Sequence, residues 1–163
     1  MDAYTESIQK SPLLGEETVT VDGKFRVLFS KKKRDRLGEN FVLAIGLKGC
    51  LEALPRATFD QMTAEILATP PLNMGRQEYA SMLARNSDDD QNFDSEGRVL
   101  IPVGLRTKGK IAQKGKLVLE GAIDRVRIWS ESDWEAYNRD PEGYGAERSN
   151  QMLRLYKMMK EGS

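Results

Sequence analysis

The chain has 163 residues, of which 39% are hydrophobic and 31% charged, a composition typical of a soluble globular protein rather than a disordered one. Its 25 basic and 25 acidic residues give zero net charge, so the overall charge gives no sign of a nucleic-acid partner. Without histidine, and with the single cysteine Cys50, the sequence excludes an intramolecular disulfide and leaves no zinc or thiol-redox site. Because no apolar run could span a membrane and no export signal is recognisable, we expect a cytoplasmic protein without metal, cofactor, small-molecule ligand or enzymatic activity.

The first elements of the chain are predicted as an arm followed by two strands. Residues 1–16 are polar and contain proline and glycine, which predicts a flexible arm. Alternating apolar residues then predict strands over residues 17–21 and 25–29. The Asp22-Gly23 pair between them is a turn signal, so we predict that these strands form a hairpin.

Two further strands and two helices complete the first half. After a short basic turn over residues 31–38, strands are predicted over residues 40–46 and 50–55. Apolar residues at helical spacing predict helices over residues 58–69 and 75–86.

The second half replays this order after an acidic turn predicted over residues 86–92. It should contain a turn and strand over residues 93–102, a basic segment over 103–115, strands over 116–121 and 124–130, and a helix from residue 132. A helix in the tail should carry Met152, Tyr156 and Met159 on one face and end at Gly162. We divide the chain into an arm (1–16), a first repeat with its helices (17–87), a second repeat (88–140) and a helical tail (141–163).

One phrase occurs twice at a constant offset of 72 residues, as VDGKFRVLFSKKKR over residues 21–34 and FDSEGRVLIPVGLR over residues 93–106. The matching residues include Asp22 with Asp94, Arg26 with Arg98, Val27 with Val99 and Arg34 with Arg106. Two of the differences between the copies affect the residues that shape the turn and end the strand: Phe25 stands for Gly97 and Ser30 for Pro102.

The phrase describes a tight turn that leads into a strand. An aspartate can accept backbone N–H groups across the turn, glycine supplies a positive φ, and proline ends the strand. The arginine at the turn exit then projects from a rigid element as a fork of donors. We therefore predict that four residues shape the turns: Asp22, Asp94, Gly97 and Pro102.

The zero net charge conceals two basic islands at equivalent positions of the repeat. Residues 22–36 contain seven basic and two acidic residues, a balance of +5, and residues 94–116 contain six and two, a balance of +4. A single basic run is usually a solvated surface, but two islands that a symmetric fold brings together suggest a surface that follows phosphates.

The repeated phrase, with the FVLAIGLKGCLEALP and RVRIWSESDWEAY segments, resembles the MraZ family of bacterial DNA-binding regulators, built from two AbrB-like (SpoVT-AbrB) repeats. The resemblance covers about residues 13–140. Asp94, Gly97, Arg98 and Pro102 match the family pattern closely, whereas Phe25 departs from it. The resemblance implies an α+β fold, mainly β with helices, in which two swapped-hairpin repeats form a pseudo-twofold barrel, each followed by a helix.

The resemblance also implies the function. We expect a nucleoid-associated, sequence-specific transcriptional regulator that assembles as a ring-like homo-oligomer. It would bind double-stranded DNA at short direct repeats in the promoter of the division and cell-wall gene cluster. Arg26 and Arg98 would reach base edges. The residues expected mainly to neutralise phosphates are Lys24, Lys31, Lys33, Arg34 and Arg106.

Two questions stay open at this point. Phe25 at a turn that needs positive φ indicates either a changed local backbone or a side chain used for packing and strand pairing. With a changed backbone, Arg26 would be aimed differently from Arg98, or the first half would be chiefly structural. The tail helix either packs on its own domain or a ring neighbour, or binds a partner protein as in AbrB-like antitoxins and assembly factors.

Overall fold

The protein is described by a computed structural model, which covers residues 2–147 and 151–162. Residues 148–150 of the predicted tail lie outside this range. The described residues form these strands: β1 Glu16–Thr20, β2 Arg26–Leu28, β3 Phe41–Ile45, β4 Leu51–Leu54, β5 Ser87–Gln91, β6 Arg98–Leu100, β7 Lys116–Gly121 and β8 Val126–Ser130. They form these helices: α1 Ala3–Lys10, α2 Lys31–Leu37, α3 Arg56–Ala68, α4 Met74–Arg85, α5 Val103–Arg106, α6 Glu131–Arg139, α7 Pro141–Glu147 and α8 Gln151–Glu161. The fold is α+β, as predicted.

The strands form one antiparallel six-stranded sheet in the order β1-β7-β8-β4-β3-β5 and one two-stranded ribbon, β2-β6. Each half contributes two strands, a short helix, two strands and a helix, which is the predicted order except that β5 replaces the predicted acidic turn. The halves interleave, because β1 pairs with β7, β3 with β5, β4 with β8 and β2 with β6. The strands of the first repeat therefore find most of their partners in the second.

The predicted hairpin between the first two strands is wrong. β1 pairs with β7 and β2 with β6, so the Asp22-Gly23 turn carries the chain from the large sheet to the ribbon. Burial explains this pairing: β2 has one buried residue, Val27, and it lies directly opposite the buried Val99 of β6. Pairing two equivalent short strands covers both valines.

Two further local predictions are corrected. The sequence predicts a flexible arm over residues 1–16, but α1 forms there, capped by Asp2, whose Oδ1 accepts the Thr5 amide at 2.8 Å. The Tyr4 hydroxyl anchors this helix by donating to Asp124 Oδ2 at 2.6 Å. The predicted acidic turn is instead β5, which lies at the edge of the sheet beside β3. Its aspartates are exposed to solvent, so this strand has no pattern of alternating apolar residues.

The core lies between the sheet, the ribbon and the helices. β3 and β4 are buried along their whole length, as expected of central strands. A second, aromatic cluster contains the fully buried Trp129, which stacks on Tyr137 at a centroid distance of 4.9 Å. None of the helices in the described ranges is both long and apolar enough to cross a bilayer.

The tail helix α8 packs on α4 of the same chain. Met152 and Met159 of the predicted stripe are buried, and the Asn73 side chain donates to the Met159 carbonyl at 3.0 Å. A Cβ at Gly75 would overlap the Met159 backbone, so the absence of a side chain allows this close approach. Packing of the tail on its own domain, one of the predicted alternatives, is confirmed.

Candidate nucleic-acid interface

The β2-β6 ribbon presents one outer face on which the two repeats meet. The register places Arg26 opposite Leu100 and Leu28 opposite Arg98, on either side of the buried Val27–Val99 pair. Because successive side chains of a strand point to opposite faces, both arginines and both leucines lie on the outer face. This face, defined by Arg26, Leu28, Arg98 and Leu100, is called the ribbon face below.

A hydrogen-bonded turn holds Arg26 at one end of the ribbon. Asp22 Oδ1 accepts the backbone N–H groups of Lys24 at 2.8 Å and Arg26 at 2.9 Å, while Asp22 Oδ2 accepts Arg26 Nε at 2.7 Å. Partial desolvation opposes ionisation, but the hydrogen bonds from Arg26 and Lys24 outweigh it and lower the pKa of Asp22 to about 2. The carboxylate therefore stays charged and fixes the base of the arginine side chain.

The second turn has the same construction. Asp94 Oδ1 accepts the N–H groups of Glu96 and Arg98, each at 2.9 Å, and Asp94 Oδ2 accepts Arg98 Nε at 3.0 Å. The hydrogen bond from the Arg98 backbone is the main reason that the pKa of Asp94 is lowered. The Arg98 and Arg26 side chains are 27% and 28% exposed, so neither turn hides its arginine.

Phe25 does not change the backbone of the first turn. Its φ is +60°, close to the +85° of Gly97, and the N–H groups of both residues donate to the preceding aspartate's carbonyl, at 3.2 and 3.0 Å. The prediction of a changed local backbone is therefore wrong. The alternative is confirmed, because the half-buried Phe25 packs against the core.

Ser30 and Pro102 also occupy equivalent conformations. Ser30 has φ −60° and ψ 152° at the N-cap of α2, and Pro102 has φ −57° and ψ 144° at the N-cap of α5. The Ser30 hydroxyl accepts the Lys33 N–H at 3.4 Å. The first repeat therefore has a capping hydroxyl where the second has a proline, and the path of the chain is the same in both.

Arg34 and Arg106, predicted to contact phosphates, lie between the two repeats. Arg34 Nη1 donates to the Phe29 carbonyl at 3.2 Å and lies against Gly97. Arg106 Nε donates to the Ile101 carbonyl at 2.8 Å, and its guanidinium carbon lies 4.1 Å from the centroid of the Phe25 ring. Both guanidinium groups are half-buried and fixed to backbone.

The predicted lysines are divided between the surface and the interior. Lys24 is exposed at the tip of the first turn, and Lys31 is exposed with Asp35 at 3.0 Å from its Nζ. Lys33 is buried: its Nζ donates to the Leu14 carbonyl at 3.1 Å and lies 3.5 Å from Glu17 Oε1. Because of these contacts, the Lys33 side chain faces the protein interior and is not part of the outer surface.

Leu28 and Leu100 are the residues of the ribbon face that the sequence reasoning missed. They are 51% and 53% exposed, although both are large and apolar. The signal is present in the sequence, since once Val27 and Val99 are assigned to the core, strand alternation forces both leucines outward. The ribbon face therefore offers two anchored cations and two apolar side chains. Within the described residues, no group of three or more His, Cys, Asp or Glu side chains lies where it could hold a metal ion.

Comparisons with known proteins identify a family and relatives that match most of this chain, including both copies of the repeated phrase. A family model described as "MraZ protein, putative antitoxin-like" matches residues 13–74 and 86–153. The chain is 35% identical over 129 residues to the "Transcriptional regulator MraZ" of Cutibacterium acnes, covering 79% of this chain and 89% of the relative. It is 32% identical over 127 residues to that of Lachnoclostridium phytofermentans (78% and 87%), and 31% identical over 140 residues to that of Frankia alni (86% and 96%).

Proposed function

This chain belongs to the MraZ family, and from that premise we propose that it is a transcriptional regulator that binds double-stranded DNA through the ribbon face. The observation that carries the proposal is the matched pair of turns. Each turn fixes one arginine through an aspartate, and both arginines project from one narrow exposed surface. No catalytic role is proposed for any residue.

The ribbon face suits the major groove. A two-stranded ribbon fits within this groove, which displays a distinct pattern of donors and acceptors for every base pair. The aspartates contact the Nε groups of Arg26 and Arg98, and Arg98 Nη2 also lies 3.3 Å from Glu96 Oε2, so DNA would compete with the exposed Glu96 for that nitrogen. A guanidinium fork matches O6 and N7 of guanine, and the exposed leucines suit the thymine methyl group.

Lysines near the turns supply the sequence-independent part of binding. Lys24 and Lys31 are exposed and can follow the phosphates, as the sequence predicts. The phosphate role predicted for Arg34 and Arg106 stays a prediction, and their hydrogen bonds to backbone carbonyls between the two repeats favour a positioning role. Lys33 is left out of the interface because it is buried beside Glu17.

We further propose that several copies act together on promoter DNA. One ribbon face is small, and a ring-like homo-oligomer that engages short direct repeats gains affinity because the later contacts become intramolecular. The resemblance to the family suggests the promoter of the division and cell-wall gene cluster as the target.

A binding experiment on the gene's own upstream region tests this function. We expect a labelled duplex of that region to be retarded at low salt, and to be bound more tightly than a scrambled duplex of equal length. The native mass of free and bound protein gives the number of copies. Absence of a shift at low salt would overturn the DNA-binding proposal, and a monomeric mass in the bound state would overturn the ring.

Binding of a toxin through the tail is not favoured. Met152 and Met159, the apolar residues that such a partner would need, are buried against α4 in this chain.

A further inference from the structure

We propose that Arg34 and Arg106 are positioning residues, each of which belongs to one repeat and holds the arginine-bearing turn of the other. This inference rests on the proposed function for its meaning in DNA binding. The contacts themselves lie within the free protein, so they can be tested without DNA.

Arg106 of the second repeat holds the first turn. Its Nε–H donates to the Ile101 carbonyl at 2.8 Å, which fixes the guanidinium plane. The plane covers the Phe25 ring, at 4.1 Å from the guanidinium carbon to the ring centroid, within the range of a cation–π contact. The segment that follows β6 also contacts the turn through its backbone, because the Ile101 N–H donates to the Phe25 carbonyl at 2.9 Å. Phe25 is thus fixed from the second repeat, and Arg26 is the next residue.

Arg34 of the first repeat holds the second turn in the corresponding way. Its Nη1 donates to the Phe29 carbonyl at 3.2 Å, and the Phe29 N–H donates to the Gly97 carbonyl at 3.1 Å. A Cβ at Gly97 would overlap Arg34 Nη1, so the guanidinium occupies the space that a side chain would need. The two sets of contacts are related by the 72-residue offset of the repeat.

The difference between Phe25 and Gly97 therefore has a physical reason. In the second turn the residue at positive φ has no side chain, and Arg34 lies directly on the backbone. In the first turn the residue keeps the positive φ but carries a ring, and Arg106 lies on that ring instead. Both arrangements place a guanidinium over the residue that precedes the arginine of the ribbon face.

This geometry assigns Arg34 and Arg106 a different physical role from Lys24. A phosphate contact releases a counterion, so removing it should lower the slope of log affinity against log salt by about 0.9. A positioning residue should instead lower affinity at every salt concentration and leave the slope unchanged. Glutamine removes the charge of all three residues, so Lys24→Gln is the matched control for the loss of charge.

The first arm of the test uses the free protein. We expect Arg106→Gln to shift the backbone amide resonances of Phe25 and Arg26 in the first repeat, and Arg34→Gln to shift those of Gly97 and Arg98 in the second. Amide shifts confined to the mutated repeat would overturn the proposal. Arg106→Lys and Arg34→Lys keep the charge and serve as milder variants if a glutamine variant fails to fold.

The second arm measures DNA affinity across a salt series. We expect Arg34→Gln and Arg106→Gln to weaken binding about tenfold with the wild-type slope, and Lys24→Gln to lower the slope. A slope reduced by about 0.9 in the Arg34 or Arg106 variant would overturn the positioning role in favour of a phosphate contact. If the wild-type protein bound no DNA, the proposed function would fail while the resonance shifts still decided the cross-repeat contact.

Discussion

Phe25 adopts a backbone conformation that non-glycine residues rarely take. A positive φ places the Cβ close to the backbone and is unfavourable by about 1–2 kcal/mol. The contacts of the ring with Arg106 and with the core offset this strain. The stability of the first turn therefore depends on the ring, although its shape is set by the hydrogen bonds of Asp22.

This balance between backbone strain and ring contacts predicts an unusual order of stability for two variants of Phe25. Phe25→Gly and Phe25→Ala both remove the ring, but alanine keeps the Cβ that strains the turn. We expect Phe25→Ala to be less stable than Phe25→Gly by about 1 kcal/mol, measured by urea denaturation. Equal stability, or a more stable alanine variant, would show that the turn has relaxed away from positive φ.

The first turn should also depend on pH. The pKa of Asp22 in the folded state is about 2, below the ordinary value near 3.9, so its contribution is present above pH 4 and is lost as the pH falls towards 2. Asp22→Asn lacks this titration. We expect the free energy of unfolding of the wild type to decrease more between pH 5 and pH 2 than that of Asp22→Asn. Parallel pH profiles for the two proteins would contradict the assignment.

At the residue scale, the sequence predicts the structure of the two turns better than it predicts which lysines are exposed. Asp22 and Asp94 with the following arginines carry a local signal, because their hydrogen bonds close within five residues. Lys33 carries no such local signal, because it is one of four consecutive basic residues. It faces Glu17 only because of its position in the helical turn of α2. The positive φ of Phe25 is indicated only by its alignment with Gly97 in the repeat, because nothing local distinguishes Phe25 from a strand phenylalanine.

At the element scale, the strands were recognisable but their partners were not. Alternation identifies the strand around Val27, whereas its pairing with β6 depends on residues 72 positions away. The Asp22-Gly23 pair correctly predicts a turn but wrongly predicts a local hairpin. Turn residues determine where the chain bends, but they do not determine which strand the next segment pairs with. β5 was missed because an edge strand of aspartates has no apolar pattern.

The ribbon as an element yields a prediction for the two exposed leucines. Leu28→Ala and Leu100→Ala should each change the free energy of unfolding by no more than about 0.5 kcal/mol, because these side chains are half exposed. We nevertheless expect the double variant to bind its DNA several-fold more weakly, since it removes the apolar contacts of the ribbon face. Unchanged affinity in titrations with labelled DNA would exclude the leucines from the interface.

At the scale of the whole molecule, the repeats form one interleaved structure. β1, β2, β3 and β4 each pair with a strand of the second half. The composition indicated a globular protein, and the repeat indicated two similar halves. The halves interleave because their strands pair over long distances in the sequence, and the residues of a single segment do not specify such pairing.

Interleaving predicts that neither half is stable as a monomer. We expect residues 1–87 and residues 88–163, produced separately and diluted to monomers, to show no cooperative unfolding by circular dichroism. Mixing them should restore a cooperative transition, because every missing strand partner returns. A monomeric half that unfolds cooperatively would contradict this view.

The central claim is that two equivalent turns present Arg26 and Arg98 to DNA. The most direct measurement compares the affinities of Arg26→Ala, Arg98→Ala and the double variant for the upstream duplex, with the exposed Arg154→Ala on α8 as a control for the loss of charge. The account predicts losses of about 1–3 kcal/mol of binding free energy for each single variant, similar for the two turns, and binding no tighter than to scrambled DNA for the double variant. Wild-type affinity in the double variant would contradict the account.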